Sequence, residues 1–207
     1  MPRAASALGI ARTLPDADGV ALTFDDGPHP QGTPAVLEAL AAAGARGVFF
    51  LVGEQVHRRP GLAREILAAG HMVALHGFQH HLQLRMSRAG TEQDIARGIA
   101  AIEEAIGMRP SWHRPPYGVY SSGGLSAARA AGLKPLLWSR WGKDWRKFTT
   151  PERIARRATR ALAKGDVILL HDADFYSSAG SHERTVEALP AIIGALRGQG
   201  LDTVLPV

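Results

Sequence analysis

The chain has 207 residues, 45% of them hydrophobic, enough for one domain with a full core and too few for two comfortable ones. It has no cysteine, which excludes disulfides, thiolate metal sites and cysteine nucleophiles, and no apolar run long enough for a membrane-spanning helix. The net charge of +5 is concentrated in Arg140–Lys164, where Arg153, Arg156, Arg157 and Arg160 recur at helical spacing without interleaved aromatic residues; this reads as a solvated helix face, and no nucleic-acid partner is expected.

The opening "MPRAASALGIARTL" has one early Arg and a short small-residue stretch broken by Arg12, a poor secretory signal. Residues 1–18 read as an extension ahead of a single domain over 19–207. From there short apolar segments alternate with Ala-rich helical patterns. Predicted strands are Val20–Phe24, Gly47–Leu51, His71–Leu75, Trp112–Arg114, Lys134–Trp138, Val167–His171 and Asp202–Leu205. Predicted helices are Pro34–Ala43, Pro60–Ala69, Glu92–Ile106 after a Thr91 cap with Asp94 three residues on, Leu125–Ala131, Pro151–Ala163 and Glu183–Arg197. Glycine follows most of them, at Gly44, Gly70, Gly107, Gly132 and Gly198, where a left-handed residue turns the chain back. This alternation specifies an α/β fold with a parallel sheet, open or curled into a barrel, and chemistry at the carboxyl ends of the strands.

Several chemical motifs stand at those ends. "TFDDGP" places Asp25 and Asp26 directly after the first strand; Asp-Gly-Pro alone is turn punctuation, but two adjacent carboxylates also suit a base beside a metal ligand. After the third strand "HGFQHH" spaces His76 and His80 four apart, on one side of a helical turn, and two imidazoles with one carboxylate form a common zinc set with a coordination position left open. "HRPPYG" offers Arg114, whose planar fork fits a carboxylate and could hold Asp25 ionised, and presents the Tyr117 backbone N–H. "WGKDW" supplies Asp144 beside Trp141 and Trp145, and "VILLHDAD" ends an apolar run at His171, a general acid if a carboxylate such as Asp144 raises its pKa. Trp145 and Trp141 are candidate sugar-stacking plates, while Trp138 reads as core. His29, His57, His71, His81, His113 and His182 carry no spacing argument.

In the order "TFDDG", "HGFQH", "RPPY", "DW", "LLH", the motifs resemble the polysaccharide deacetylases of carbohydrate esterase family 4, the NodB homology domain. The resemblance implies a distorted (β/α)7 barrel over 19–207 and removal of acetyl groups from N-acetylglucosamine-type sugars of chitin or peptidoglycan. It implies a divalent metal, zinc first with cobalt or another ion as alternatives, held by Asp26, His76 and His80. Asp25 would be the base tethered by Arg114, and His171 the acid supported by Asp144. Tyr117 would contribute its N–H to an oxyanion site, with Trp145 and Leu169 walling the acetyl pocket. Other readings of the same barrel are an O-acetyl xylan esterase, a small-molecule amidohydrolase and a non-catalytic glycan-binding relative. The partner implied is a carbohydrate and the expected state a monomer. The family points to the cell envelope or secretion, and the weak leader keeps the cytoplasm open. Two positions depart from the family pattern: Gly77 stands where Ser or Thr often follows the first His, and Trp141 where an earlier Asp often precedes "DW".

Overall fold

A computed structural model describes Ala5 and residues 7–207. Five-residue strands β1 (Ala21–Asp25), β2 (Gly47–Leu51) and β7 (Val167–His171) are joined by β3 (Met72–Leu75) and three two-residue strands, β4 (Trp112–His113), β5 (Lys134–Pro135) and β6 (Arg140–Trp141). All pair in parallel, in the order β5-β4-β3-β2-β1-β7-β6. The helices are α1 (Gly32–Ala42), α2 (Gly53–Arg58), α3 (Pro60–Ala68), α4 (Arg88–Ile106), α5 (Ser122–Ala130), α6 (Pro151–Ala158) and α7 (Ser181–Arg197). The architecture is the expected seven-stranded distorted barrel, a sheet curled into a half-barrel with helices along its outer face.

Strand periodicity decides what faces the site. Leu22, Phe24, Phe49, Leu51, Val73, Leu75, Ile168 and Leu170 pack outward with helix residues such as Leu40, Ile102 and Leu189 in the larger core. The alternate residues Ala21, Val48, Phe50, Ala74 and Val167 point into the curl, where Trp112 and Leu136 join them in a smaller core. Continuing that inner row in steps of two reaches Asp25 on β1, His76 just beyond β3, Arg114 just beyond β4, and Leu169 and His171 on β7. The register makes Asp25 and His171 direct neighbours across β1 and β7. A period of two thus brings four chemically distinct side chains to one mouth.

Several elements differ from the sequence expectation, among them the helix α2, which was not expected. Asp202–Leu205 is no strand: both edges of β1 are already taken by β2 and β7, so the tail forms only a bridge from Thr203 to Val20, below where β1 begins. The seventh strand is β6, pairing with β7, while the predicted Lys134–Trp138 strand pairs as a ladder only at Lys134 and Pro135. α4 begins at Arg88, because Ser87 Oγ accepts the Gly90 N–H at 3.0 Å; Thr91 lies inside the helix and Asp94 is not a cap. Smaller shifts have the same origin, as Ser121 caps α5 ahead of the predicted Leu125 and α6 ends at Ala158 instead of Ala163.

The sheet does not close between β5 and β6. Ala11 bridges to Leu136 and Thr13 to Asp166, and the Leu14 N–H donates to Gly165 O at 2.7 Å, so residues 11–14 lie across the seam. Among the described residues no helix is long and apolar enough to cross a membrane.

α4 sits hard against the loop that carries the two histidines. A Cβ on Gly98 would come within 2.5 Å of Leu75 Cδ1 and 3.1 Å of the Gly77 carbonyl carbon. Gly98→Ala is expected to lower unfolding free energy by about 1–3 kcal/mol through overpacking, read as a lower urea midpoint at unchanged m.

Candidate metal and catalytic centre

Arg114 lies at the centre of the inner face with no exposed surface. Its guanidinium stacks 3.9 Å from the Phe50 ring centre, and its donors are nearly all used: Nε to Leu136 O at 3.1 Å, Nη2 to Leu137 O at 3.0 Å, Nη1 to Thr23 Oγ1 at 2.8 Å. Nη1 also donates to Asp25 Oδ1 at 2.6 Å. Burial pulls the guanidinium pKa down and the Asp25 carboxylate opposes this. The fork takes up one oxygen of Asp25; the other, Oδ2, faces His76 Nε2 at 3.7 Å.

Asp26 would leave this face if β1 continued. Instead it takes a left-handed conformation, φ 81°, which turns its carboxylate back toward His76 and His80; Asp tolerates that region better than most residues. Asp26 Oδ1 lies 3.5 Å from His76 Nε2 and 3.3 Å from His80 Nε2. His76 Nδ1 donates to Arg114 O at 2.8 Å, which fixes its proton there and leaves a lone pair on Nε2. The three ligand atoms lie within 4.8 Å of one another, and Asp26 Oδ1 is buried without a hydrogen-bond partner. A lone pair on His76 Nε2 turned toward an orphaned carboxylate oxygen repels it unless a cation sits between them. The donor set therefore fits a divalent ion of the zinc type, two imidazoles and one carboxylate. Burial works against ionisation of Asp26, yet His80 and His171 nearby hold its carboxyl well below the usual carboxylate range.

His171 occupies the opposite wall. Asp144, fully buried, accepts the His171 backbone N–H at 2.7 Å and the ring Nδ1–H at 3.0 Å; Thr185 Oγ1 donates to it at 2.9 Å. Burial lowers the imidazole pKa, but Asp144, with Asp26 and Asp25 behind it, overrides this and pushes it up to about 10. Asp144 is thus the partner of His171 even though Trp141 stands where an earlier Asp is common; Trp141 lines the cavity rim.

Asp25, Asp26, His76, His80 and His171 all open into one cavity of about 250 Å³. Trp145 and Leu169 form one wall, Tyr117 and Tyr176 the other. Tyr117 is exposed and left-handed, φ 62°, the turn that sets its backbone at the rim. Every predicted site residue thus lines the cavity or directly holds one that does. Trp138, expected in the core, is half-buried and also lines the cavity, with Gly118 packed on its ring.

Sequence reasoning missed two supports. Asp94 accepts the Phe78 and Gln79 N–H groups, each at 2.9 Å, bracing the loop between His76 and His80. This also accounts for Gly77: its φ is 82°, and a Cβ there would meet Asp94 Oδ2 at 2.9 Å. Tyr176 stacks flat on His80 at 4.2 Å and 7°, its hydroxyl donating to Glu54 at 2.9 Å and accepting from Gln55 at 3.1 Å. Sequence spacing signals neither contact, since one runs from a helix interior and the other from a distant loop. In a second grouping, His29, Asp174 and His182, His29 Nδ1 accepts the Gly32 N–H at 2.9 Å, which puts the His29 proton on Nε2, 3.3 Å from Asp174, and leaves no lone pair on that ring for a metal.

The chain belongs to the polysaccharide deacetylase family, carbohydrate esterase family 4, whose profile matches residues 14–136. It is 34% identical over 183 residues to a peptidoglycan-N-acetylglucosamine deacetylase of Bacillus cereus, covering 87% of this chain and 83% of that one. It is 33% identical to a chitooligosaccharide deacetylase of Bradyrhizobium sp., covering 93% and 92%. The structure of a family 4 carbohydrate esterase from Streptomyces lividans in complex with acetate superposes with a TM-score of 0.82 at 32% identity, covering 91% of this chain and 93% of that one. A pseudoenzyme of the family from Bacillus anthracis superposes at 0.83 and 25% identity, covering 94% and 66%.

Replacing His76 and His80 together by Ala is expected to abolish retention of a divalent ion after dialysis, measured by elemental analysis. Asp94→Ala, which frees the loop but leaves every ligand, is expected to weaken zinc affinity by about 10–100-fold in a chelator competition.

Proposed function

We propose that the protein is a metal-dependent hydrolase that removes the acetyl group from N-acetylglucosamine units of a polysaccharide or oligosaccharide. The observation carrying this reading is that one cavity holds a three-ligand cluster, a carboxylate with one oxygen committed to Arg114, and an imidazole with one nitrogen committed to Asp144. The deacetylase relatives on peptidoglycan and chitooligosaccharides support the substrate class.

When bound by Asp26, His76 and His80, a divalent ion supplies a Lewis acid that polarises the acetyl carbonyl and acidifies water. Asp25 Oδ2, the oxygen not bonded by Arg114, takes a proton from water as its oxygen bonds to the carbonyl carbon. Arg114 keeps that carboxylate in place. In this reading the Tyr117 backbone N–H serves the developing oxyanion, where a fixed donor is worth more than water. His171, its Nδ1 held by Asp144, gives the Nε2 proton to the nitrogen as the C–N bond breaks, leaving an amine and acetate. Trp145 and Leu169 form an apolar slot for the acetyl methyl. The fold also carries a pseudoenzyme, but here base, tether, acid and acid support are all in place, which favours turnover over glycan binding alone. Occupation of the ligand cluster by zinc in particular rests on donor chemistry.

Acetate release from N-acetylglucosamine oligomers is expected to exceed that from acetylated xylan. Asp25→Asn should reduce it by about 10²–10⁴-fold with metal content unchanged; full activity in that variant rejects Asp25 as base. The acid form of His171 is present below its raised pKa and is lost as pH climbs through about 10. Asp144→Asn removes the main raising charge, so the alkaline limb of the pH–rate profile is expected to move down by about 1–3 pH units.

A further inference from the structure

Beside the active-site cavity lies a second concavity of about 340 Å³, lined by Ser139, Arg140, Trp141, Lys143, Arg157 and Arg160. Trp141 belongs to the walls of both. Its ring lies 5.8 Å from Trp138 and 5.3 Å from Trp145, so an aromatic band runs from the site to the basic hollow. Lys143 Nζ stands 4.5 Å from the Trp141 ring centre, on a backbone held left-handed at φ 54°.

The charges in this hollow are mostly uncompensated. Arg140 is spent, with Nε on Asp166 at 2.9 Å and Nη2 on Ala161 O at 2.5 Å. Arg157 makes one bond, to Thr149 Oγ1 at 3.2 Å, leaving most of its donors free. Among the described residues no carboxylate lies within 4.0 Å of Lys143, Arg157 or Arg160. On α6, Arg153 and Arg157 stand four apart, a like-charge spacing that destabilises a helix unless an anion answers it, and Arg160 follows two residues beyond the end of the helix.

We infer that this hollow is a subsite for a carboxylate carried by a sugar next to the one being deacetylated, so that the preferred substrate is an anionic glycan and not neutral chitin. The inference rests on the deacetylase reading for its register along the chain. Sugars stack on the band through Trp141 and Trp145, and the guanidinium forks of Arg157 and Arg160 suit a carboxylate. These contacts lie away from the reacting atoms and bind ground and transition states alike, so they act on KM and leave kcat unchanged.

The test uses three oligomers of equal length: neutral N-acetylglucosamine, N-acetylglucosamine alternating with N-acetylmuramic acid bearing free lactyl carboxylates, and the latter with those carboxylates converted to methylamides. The free-acid oligomer is expected to show a KM about tenfold lower than the other two at low salt, a gap that closes near 1 M salt, where the screening length falls to about 3 Å. Arg157→Gln with Arg160→Gln should raise KM for the free acid about tenfold and leave the neutral oligomer unchanged, and Lys143→Gln should do so to a lesser degree in an independently folded variant. Equal KM for the three oligomers, or a free-acid KM untouched in both variants, overturns the inference. If no oligomer releases acetate, the deacetylase reading fails, and calorimetric Kd values for the same three decide the subsite separately: a free-acid preference sustains it, equal values reject it. Tighter, salt-sensitive binding of single-stranded DNA with no discrimination among the three glycans also rejects it.

Discussion

The buried pair between Arg114 and Asp25 is the constraint on which the site depends. A guanidinium with no exposed surface inside a narrow curl of sheet needs partners for its donors, and it finds them on Leu136, Leu137, Thr23 and Asp25. Removing either charge from such a pair leaves the other buried and uncompensated, at a cost of about 3–5 kcal/mol. The same residue supplies the carbonyl that fixes the His76 tautomer. One arginine therefore orients both the carboxylate that accepts a proton and a ring that offers a lone pair to a cation, and it ties strands β1, β3 and β4 into one unit.

The two halves of the cavity use a common logic. Each working group has one of its two polar atoms committed to the scaffold, which leaves the second directed at the opening. Asp25 gives Oδ1 to Arg114, His76 gives Nδ1 to Arg114 O, and His171 gives Nδ1 to Asp144. His80 is the exception: its Nδ1 is buried without a partner, and its ring is held by the face of Tyr176 and the edge of Tyr117. Aromatic packing takes the place of a hydrogen bond there.

Much of this was legible in the sequence because it is carried by local pattern. Short apolar runs alternating with helical patterns placed Asp25, His76, Arg114 and His171 at strand ends, and the period of two within strands is why they share a face. What was illegible is non-local or lies in backbone angles. The φ of 81° at Asp26 has no reliable signature in a carboxylate pair. The role of Asp94 was hidden because Thr91-x-x-Asp94 has the form of a helix start, whereas Ser87 provides the cap four residues earlier. β6 is two residues of Arg and Trp, too short and polar to show any period, and the apolar tail at Asp202–Leu205 looked more like a strand than it did. Trp138 illustrates an ambiguity that composition cannot resolve, since one aromatic plate can serve both a core and a cavity wall.

The unclosed seam bears on solubility. An open sheet ordinarily presents two rows of unpaired amide and carbonyl groups that invite a stray strand from another molecule. Here the terminal strands β5 and β6 are two residues each, and residues 11–14 already occupy part of the gap. The template for edge-to-edge association is thus cut to a few groups, and the molecule gains much of the protection of a closed barrel while leaving its rim free to vary in shape.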